Sequence, residues 1–585
     1  MNRNHVNGKA GARNSFRGSV HFAPAFTRFR ISSGSQIISG FRNTRRNPRK
    51  PIGRFAFLRN KFRAPFASIR LKGCINYVAS AVIGIVTSLS AADHPTVLMI
   101  AVDDLRPMLG CYGDPRAKTP NIDRLAKRGV VFERAYCQYA KCGVSRLSLM
   151  SGLRPDAINA FGGHHRRYAD AFRKRRPDAT PLGQWFREQG YHTRGLGKIY
   201  HDGWDQESNW SEPALPGREK EMLEIHDDSK PGGRSIIADR WKCPVMQSPD
   251  VPDEHFFAGR MTTEAIRILR DDQRKQPLFL AVGYRRPHLP FIAPKRYFDL
   301  HEPDRSWLAK NPNPPTDSPV MAWFNGDAYV GGAKKLGLKM PNPPTREQAP
   351  DWNGYEMRSY LGVPNRGPID VDLQLKLIQA YAACVGYVDA QIGRLLDELE
   401  SSGRLEQTVI VFWSDHGWQL GEHSAWSKMT NFEVATKVPF IIVAPGIKPA
   451  RTRNLAELVD LYPTLCDLAG LKPPKHLEGE SLEPVLRDPS GKLTTTALSQ
   501  HTRYQEQFMG RAMRTDRYRY VEWQNQRTGK LEATELYDHA NDPLETRNIA
   551  AKPGQADVVS RLCEQLAAVW KAGRPERGPH TGSDQ

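Results

Sequence analysis

Three apolar runs of this chain end in residues able to hold or transfer charge. Thr96–Val102 ends in Asp103 and Asp104, Thr408–Trp413 leads through Ser414 into Asp415 and His416, and Leu278–Val282 leads through Gly283 and Tyr284 into Arg285-Arg286-Pro287-His288. Adjacent aspartates repel, so a closed pocket that holds both calls for a cation. Their hard oxygen atoms suit calcium or magnesium. An isolated Asp pair reads more simply as the start of a turn; a further acid at another strand end, Asp415 beside His416, tips the reading towards a metal site. A fourth stretch, Cys142-Gly143-Val144-Ser145-Arg146, heads a segment that reads as helix until Gly152. The Cys142 side chain then sits at a helix amino end, where negative charge is favoured, and Arg146 one turn on reaches back towards the same centre.

These residues need a scaffold that brings distant strand ends together. From Pro95 the chain alternates strand-like and helix-like segments, which predicts an α/β sheet. Continuous apolar runs are of the kind buried on both faces of a parallel sheet, and ligands gather at the carboxyl ends of such strands. Tyr381, Cys384, Val385, Val388, Ile392, Leu395, Leu396 and Leu399 recur at helical spacing and are expected to pack on the sheet as core. The stretch 302–368, dense in Pro, Asn, Gly and Trp, reads as a long irregular insertion of the kind that carries specificity.

The 585 residues exceed one typical domain. The formal charge of +21 suggests a nucleic-acid or membrane partner until it is located. Residues 1–72 hold 17 Lys or Arg and no Asp or Glu, so the remainder carries 21 − 17 = +4. The excess belongs to an arm without aromatic or motif support for nucleic-acid binding, and no nucleic-acid partner is expected. Arg70-Leu71-Lys72, an apolar run from Cys74 to Leu89, and Ser90-Ala91-Ala92 follow the order of a secretory signal. That run is shorter than the roughly 20 residues that span a bilayer, so no stable membrane span and a secreted or periplasmic location are expected. A signal this far from Met1 points to an extended leader or to a true start further downstream. The eight cysteines show no CxxC pair and no zinc-type spacing, and Cys384 and Cys466 read as core.

With these residues in place, the chain resembles the sulfatase family of the alkaline phosphatase superfamily. Asp103-Asp104-Leu105-Arg106-Pro107, Thr119–Ala126, Cys142–Arg146, Gly197-Lys198 and Ser414–Gly417 fall in sulfatase order, over about Pro95 to Gly446. Ala281–Tyr284 with Pro287–Phe291, Asp415–Trp418 with Leu420–His423, and Trp426–Lys428 with Asn431-Phe432 are similar to the iduronate-2-sulfatase type within it. The resemblance implies a large mixed, mostly parallel sheet flanked by helices over 93–448 and a smaller C-terminal α+β subdomain over 449–575, after a basic leader and signal peptide over 1–92. In that subdomain the aromatic run Tyr518–Trp523 and a closing helix over about 556–570 resemble the family's short sheet and last helix.

The same resemblance implies one calcium per chain on Asp103, Asp104, Cys142, Asp415 and His416. It also implies a formylglycine (3-oxoalanine) made from Cys142 by a formylglycine-generating or other sulfatase-maturing enzyme. Val144 stands where the family usually has proline; His416 replaces the asparagine of many sulfatases, as in the iduronate type; and Arg286 replaces that type's lysine. Lys198 and Lys428 are implied to contact sulfate, His288 with Lys428 to protonate the leaving alcohol, and His201 to take a proton as sulfate is released. The expected activity is calcium-dependent hydrolysis of sulfate esters on sulfated sugars, at a uronic acid in a glycosaminoglycan-like polymer. Two other readings stay open: a phosphodiesterase or phosphoryl hydrolase of the same superfamily, and an inactive sulfated-glycan-binding homologue with Cys142 unmodified. His164 and His165 are adjacent, so their rings point apart, and they read as loop residues near the substrate mouth rather than a metal pair.

Overall fold

The run Thr96–Val102 forms strand β1, central in a nine-stranded sheet, in the computed structural model, which describes residues 94–572 apart from 162–167, 202, 217–223, 238, 272, 327–329 and 342. The leader, the signal-like stretch and His164-His165 lie outside the described residues. The other strands are β2 (Val130–Tyr136), β3 (His192–Gly197), β4 (Leu215–Pro216), β5 (Leu278–Tyr284), β6 (Thr408–Ser414), β7 (Lys437–Val438), β8 (Phe440–Val443) and β9 (Ala450–Glu457). They lie in the order β7-β2-β8-β6-β1-β5-β3-β4, with β9 beside β2. From β6 to β4 every pairing is parallel, whereas β8 runs antiparallel to both β6 and β2. The sheet is therefore mixed and mostly parallel, as expected.

Alternation along β1 divides the core into two layers. Leu98, Ile100 and Val102 pack with Tyr381, Cys384, Val385, Val388 and Ile392 of helix α4 (Val371–Ser401), which follows α1 (Pro120–Ala126), α2 (Cys142–Ser151) and the short α3 (Tyr355–Arg358) among the helices used below. Val97, Met99 and Ala101 face the opposite layer with Leu147, Leu149 and Met150 of α2. Asp370 caps α4 by accepting the Leu373 N–H (2.8 Å). Further along α4, Asp389 accepts the Asn121 and Ile122 N–H groups that open α1 (3.1 and 2.7 Å), so one helix start is satisfied by the other helix's side chain.

The register makes the chemical ends level. Val102 stands opposite Ser414 on one side and Tyr284 on the other, and Gly197 stands opposite Gly283. Asp103, Arg285, Asp415 and Lys198 thus leave the sheet along one rim. Gly283 is required by the close approach there: a Cβ on it would overlap the backbone carbonyl of Lys198. Gly283→Ala is expected to cost about 1–3 kcal/mol through overpacking. A lower urea midpoint, with activity reduced because Lys198 is pushed off its place, would show it.

The smaller subdomain is an antiparallel sheet of β10 (Ala497–Arg503), β11 (Phe508–Arg514), β12 (Tyr518–Asn525) and β13 (Leu531–Asp538). Helix α5 (Ala556–Ala572) closes it, with Leu562 and Leu566 on Leu498, Met513, Tyr520 and Leu536. Arg519 ties it to the turn that leads into β7, pairing there with Glu433 (2.5 Å) and also with the buried Glu545 (2.6 Å).

Candidate active site

The turn after β1 places two carboxylates on one side. Asp104 adopts φ +61°, and its carbonyl accepts the Tyr381 hydroxyl of α4 (2.8 Å) while its N–H donates to Asp415 Oδ1 (3.1 Å). Asp103 donates its N–H to the Tyr284 carbonyl (3.0 Å), which ties β1 to β5 at the rim. After β6, Ser414 Oγ accepts the Leu105 N–H (3.0 Å) and donates to the His416 carbonyl (2.9 Å), so the two acid-bearing turns are sewn together.

Helix α2 starts at Cys142 and ends on Gly152 in the left-handed conformation (φ +67°), both as the sequence predicts. Its first turn points at the rim, and Ser145 Oγ donates to the Asp415 carbonyl (2.6 Å). Cys142 Sγ lies 3.2 Å from His416 Nε2, 3.3 Å from Lys428 Nζ and 3.6 Å from Asp104 Oδ1, and the residue is 4% exposed. Burial, with Asp103 beside it, pushes the thiol up to about 11. An unmodified Cys142 is therefore a protonated and poor nucleophile at neutral pH.

Arg146 is fully buried between the acids: Nη2 reaches Asp103 (3.2 Å), Nε reaches Asp415 (2.8 Å), and Nη1 donates to the carbonyls of Lys198 and Ile199. Lys198 Nζ sits on Asp103, and Lys428 Nζ sits on Asp104 (2.7 and 2.9 Å) with its charge over the Trp418 ring (5.2 Å). Burial alone would raise both carboxyls. Lys198 and Arg146 outweigh it and hold Asp103 well below the usual carboxylate range, whereas burial wins at Asp104, raised further by Cys142 and Asp103 against Lys428.

Asp103, Asp104, Cys142 and His288, and likewise Asp103, Cys142, Asp415 and His416, each bring one donor atom within 4.8 Å of the others. The tautomer of His416 sharpens the fit to a cation. Its Nδ1–H donates to the Gly417 carbonyl (2.9 Å), which leaves a lone pair on Nε2 facing Asp104 (3.3 Å) and Asp415 (3.7 Å). The Cys142 thiol, 3.2 Å away, can donate to that lone pair, and a cation held by the same carboxylates would take its place. Three carboxylates and an imidazole so arranged fit a hard divalent ion.

His288 follows the same pattern. Nδ1–H donates to the Leu289 carbonyl (2.8 Å), and Nε2 faces Asp104 (3.9 Å) and Glu356 (3.7 Å). Burial and Lys428 together pull His288 well below the usual imidazole range. Arg286 spends its guanidinium on the carbonyls of Ile292 (3.1 Å) and His288 (3.2 Å), bracing the loop that carries His288. His201 lies beside the first turn of α2, its Cβ 3.5 Å from where a Cβ on Gly143 would stand, with its ring near Trp204 (6.1 Å).

Two residues of the pocket wall escaped the sequence reading. Glu356, from the long insertion, reaches Lys428 Nζ (3.7 Å) and Ser427 Oγ (3.5 Å) as well as His288. His501, on β10, stacks on Tyr139 (ring centroids 4.4 Å) three residues before Cys142 and brings the smaller sheet to the wall. No periodicity or motif distinguishes either from an ordinary surface residue. The seven described cysteines are unpaired, and Cys384 and Cys466 are buried as expected. No helix of the described residues is long and apolar enough to cross a membrane.

A family model described as Sulfatase matches residues 95–471, and one described as N-sulphoglucosamine sulphohydrolase, C-terminal, matches 421–572. Iduronate 2-sulfatase of Homo sapiens is 32% identical over an alignment covering 79% of this chain and 92% of that protein. Among solved structures, the phosphonate monoester hydrolase of Agrobacterium radiobacter superposes with a TM-score of 0.60 at 22% identity, covering 82% of this chain and 96% of that one. A protein solved in complex with its substrate D-glucosamine-2-N,6-O-disulfate gives 0.58 at 21%, covering 82% and 98%. These last two share the fold.

Proposed function

Because the chain belongs to the sulfatase family and is a sulfuric ester hydrolase, we propose that it removes sulfate from sulfated sugars, at a uronic acid of a glycosaminoglycan-like polymer. Calcium and a formylglycine made from Cys142 complete the proposed site. The observation that carries this reading is the place of Cys142 Sγ, at a helix amino end, 3.3 Å from Lys428 Nζ and 3.2 Å from a metal-presenting His416. Iduronate 2-sulfatase, the relative at 32% identity, supports the sugar class.

Asp103, Asp104, Asp415 and His416, with the residue at 142, would hold the ion. Bound there, calcium supplies a Lewis acid for a sulfate oxygen, and formylglycine supplies a hydrated-aldehyde nucleophile. Lys198 and Lys428 hold the anionic ester in a pocket from which water is largely excluded, where their charges count for more than in solution. Arg146 keeps the acids of the rim at fixed spacing. When the bond from sulfur to the sugar oxygen breaks, that oxygen takes the electron pair, and the Lys428 ammonium, with His288 beside it, provides its proton. His201 would take the proton that the remaining hydroxyl at residue 142 gives up as sulfate departs. The basic, apolar and small residues over 70–92 support an exported protein, matured at Cys142 by a formylglycine-generating type of enzyme.

The deciding experiment is a desulfation screen on defined sulfated disaccharides, with mass spectrometry of the peptide containing residue 142. Sulfate release from a 2-O-sulfated uronate together with an aldehyde at 142 is the expected result. Faster cleavage of an aryl phosphate diester than of any sulfate ester would overturn it. The ion has its own test: in chelator-stripped protein, calcium at about 100 times its Kd is expected to add about 2.7 kcal/mol of stability. That gain should vanish in Asp415→Asn, and an unchanged melting temperature in the parent protein would remove calcium from the proposal.

A further inference from the structure

Glu356 is a buried carboxylate at a site meant for an anion, which needs a reason. It stands on α3 inside the long insertion, 5% exposed. Its Oε1 lies 3.7 Å from His288 Nε2 and 3.7 Å from Lys428 Nζ, and its Oε2 lies 3.5 Å from Ser427 Oγ. A negative charge there opposes binding of a sulfate ester. It is kept only if it does something for the groups around it.

The segment that delivers Glu356 is fastened to the strip that carries Lys428. Asn325 Nδ2 donates to the Lys428 carbonyl (3.0 Å), and Asn325 Oδ1 accepts the Gly354 N–H (3.2 Å). Gly354 takes φ +75°, and a Cβ on it would come 2.8 Å from the Trp426 Cβ, so the insertion lies flush on Trp426. On the far side of Glu356, the buried Arg358 gathers the carbonyls of Asn353 (3.0 Å), Pro364 (2.9 Å) and Pro350 (2.7 Å). Glu356 is thus held from both sides and cannot simply swing to solvent.

Both His288 and Lys428 have two carboxylate neighbours in common, Asp104 and Glu356. Asp104 belongs to the metal cluster, and Glu356 does not. We infer that Glu356 is a positioning residue that holds Lys428 Nζ, beside His288, aimed at the departing sugar oxygen. This rests on the sulfatase reading above. In the step it serves, the bond from sulfur to the sugar oxygen breaks, the oxygen keeps the electron pair, and one proton passes to it from the Lys428 ammonium, which is left neutral. Glu356 itself exchanges nothing with the substrate.

A leaving group that needs no proton separates this role from a structural one. The probes are a 2-O-sulfated hexuronate disaccharide, whose alcohol leaves badly as an anion, and 4-nitrophenyl sulfate, whose phenolate leaves readily. General acid catalysis is worth about 10²–10⁴-fold, so Glu356→Gln is expected to lower kcat on the disaccharide by ~100-fold. Its kcat on the aryl sulfate should stay within ~3-fold, with KM for the disaccharide unchanged or lower because a repelling charge is gone. Glu356→Asp, which keeps the charge, should recover part of the disaccharide rate, and it answers the question if the Gln variant does not fold. Equal losses on both substrates, or none on either, would overturn the role of Glu356 while leaving the sulfatase reading intact. Parent enzyme that releases sulfate from neither probe would overturn both.

Discussion

Cys142→Ala is expected to lower sulfate-ester turnover by roughly 10⁴-fold or more, the scale of losing a covalent nucleophile, while the protein stays folded. Cys142 Sγ sits among Asp104, His416 and Lys428, and a methyl group at that place reaches none of them. The side chain is small and buried, so its removal leaves a small void and costs little stability. Cys142→Ser, close in volume, controls for packing. The measurement pairs sulfate release with a thermal midpoint. An alanine variant that retains a tenth of the parent rate would mean that residue 142 is not the nucleophile, and the formylglycine proposal would fall with it.

Arg146→Met should unfold the protein more readily by about 3–5 kcal/mol, the usual effect of removing one partner from a buried ion pair. The guanidinium is fully buried, answers Asp103 and Asp415 together, and covers the carbonyls of Lys198 and Ile199 over the Trp413 ring (5.4 Å). Methionine fills much of the space and satisfies none of those oxygens. Urea titration of the calcium-free protein reads the loss. Calcium should return part of it, since a cation would again lie beside both carboxylates. Arg146→Lys should fall between, because one ammonium cannot reproduce the fork that serves two acids and two carbonyls. A Met variant within about 1 kcal/mol of the parent would mean that the acids are already neutral without Arg146.

The rim residues were legible because strong local signals coincide there. Thr96–Val102, Leu278–Tyr284 and Thr408–Ser414 are apolar runs that stop at charged residues, and α2 begins and ends where Cys142 and Gly152 say it should. The spacing from Tyr381 to Leu399 likewise marks one face of α4. What was not legible depends on tertiary closure. Phe440–Val443 reads the same whether it pairs parallel or antiparallel, and β8 is antiparallel. Glu356 enters the site only because Asn325 reaches the Lys428 carbonyl and Gly354 lies against Trp426. Arg286 shows the converse. A cation in the expected place turns inward to two carbonyls, and its sequence position alone does not tell which way it points.

The level strand ends have a consequence in time. Strand β1 is flanked by Leu278–Tyr284 and Thr408–Ser414, so Asp103 leaves the ribosome long before either neighbour exists. At 5–20 residues per second, the wait for β6 is roughly 15–60 s. Throughout that interval the segment around Cys142 has neither Asp415 nor Lys428 to close over it. In the finished fold the whole of Cys142–Ser151 is buried. Under the proposed maturation of Cys142, an enzyme that grips this segment would have a deadline set by synthesis of residues 408–428, and slowing translation downstream of Ser151 should then raise the fraction of chains carrying an aldehyde at residue 142.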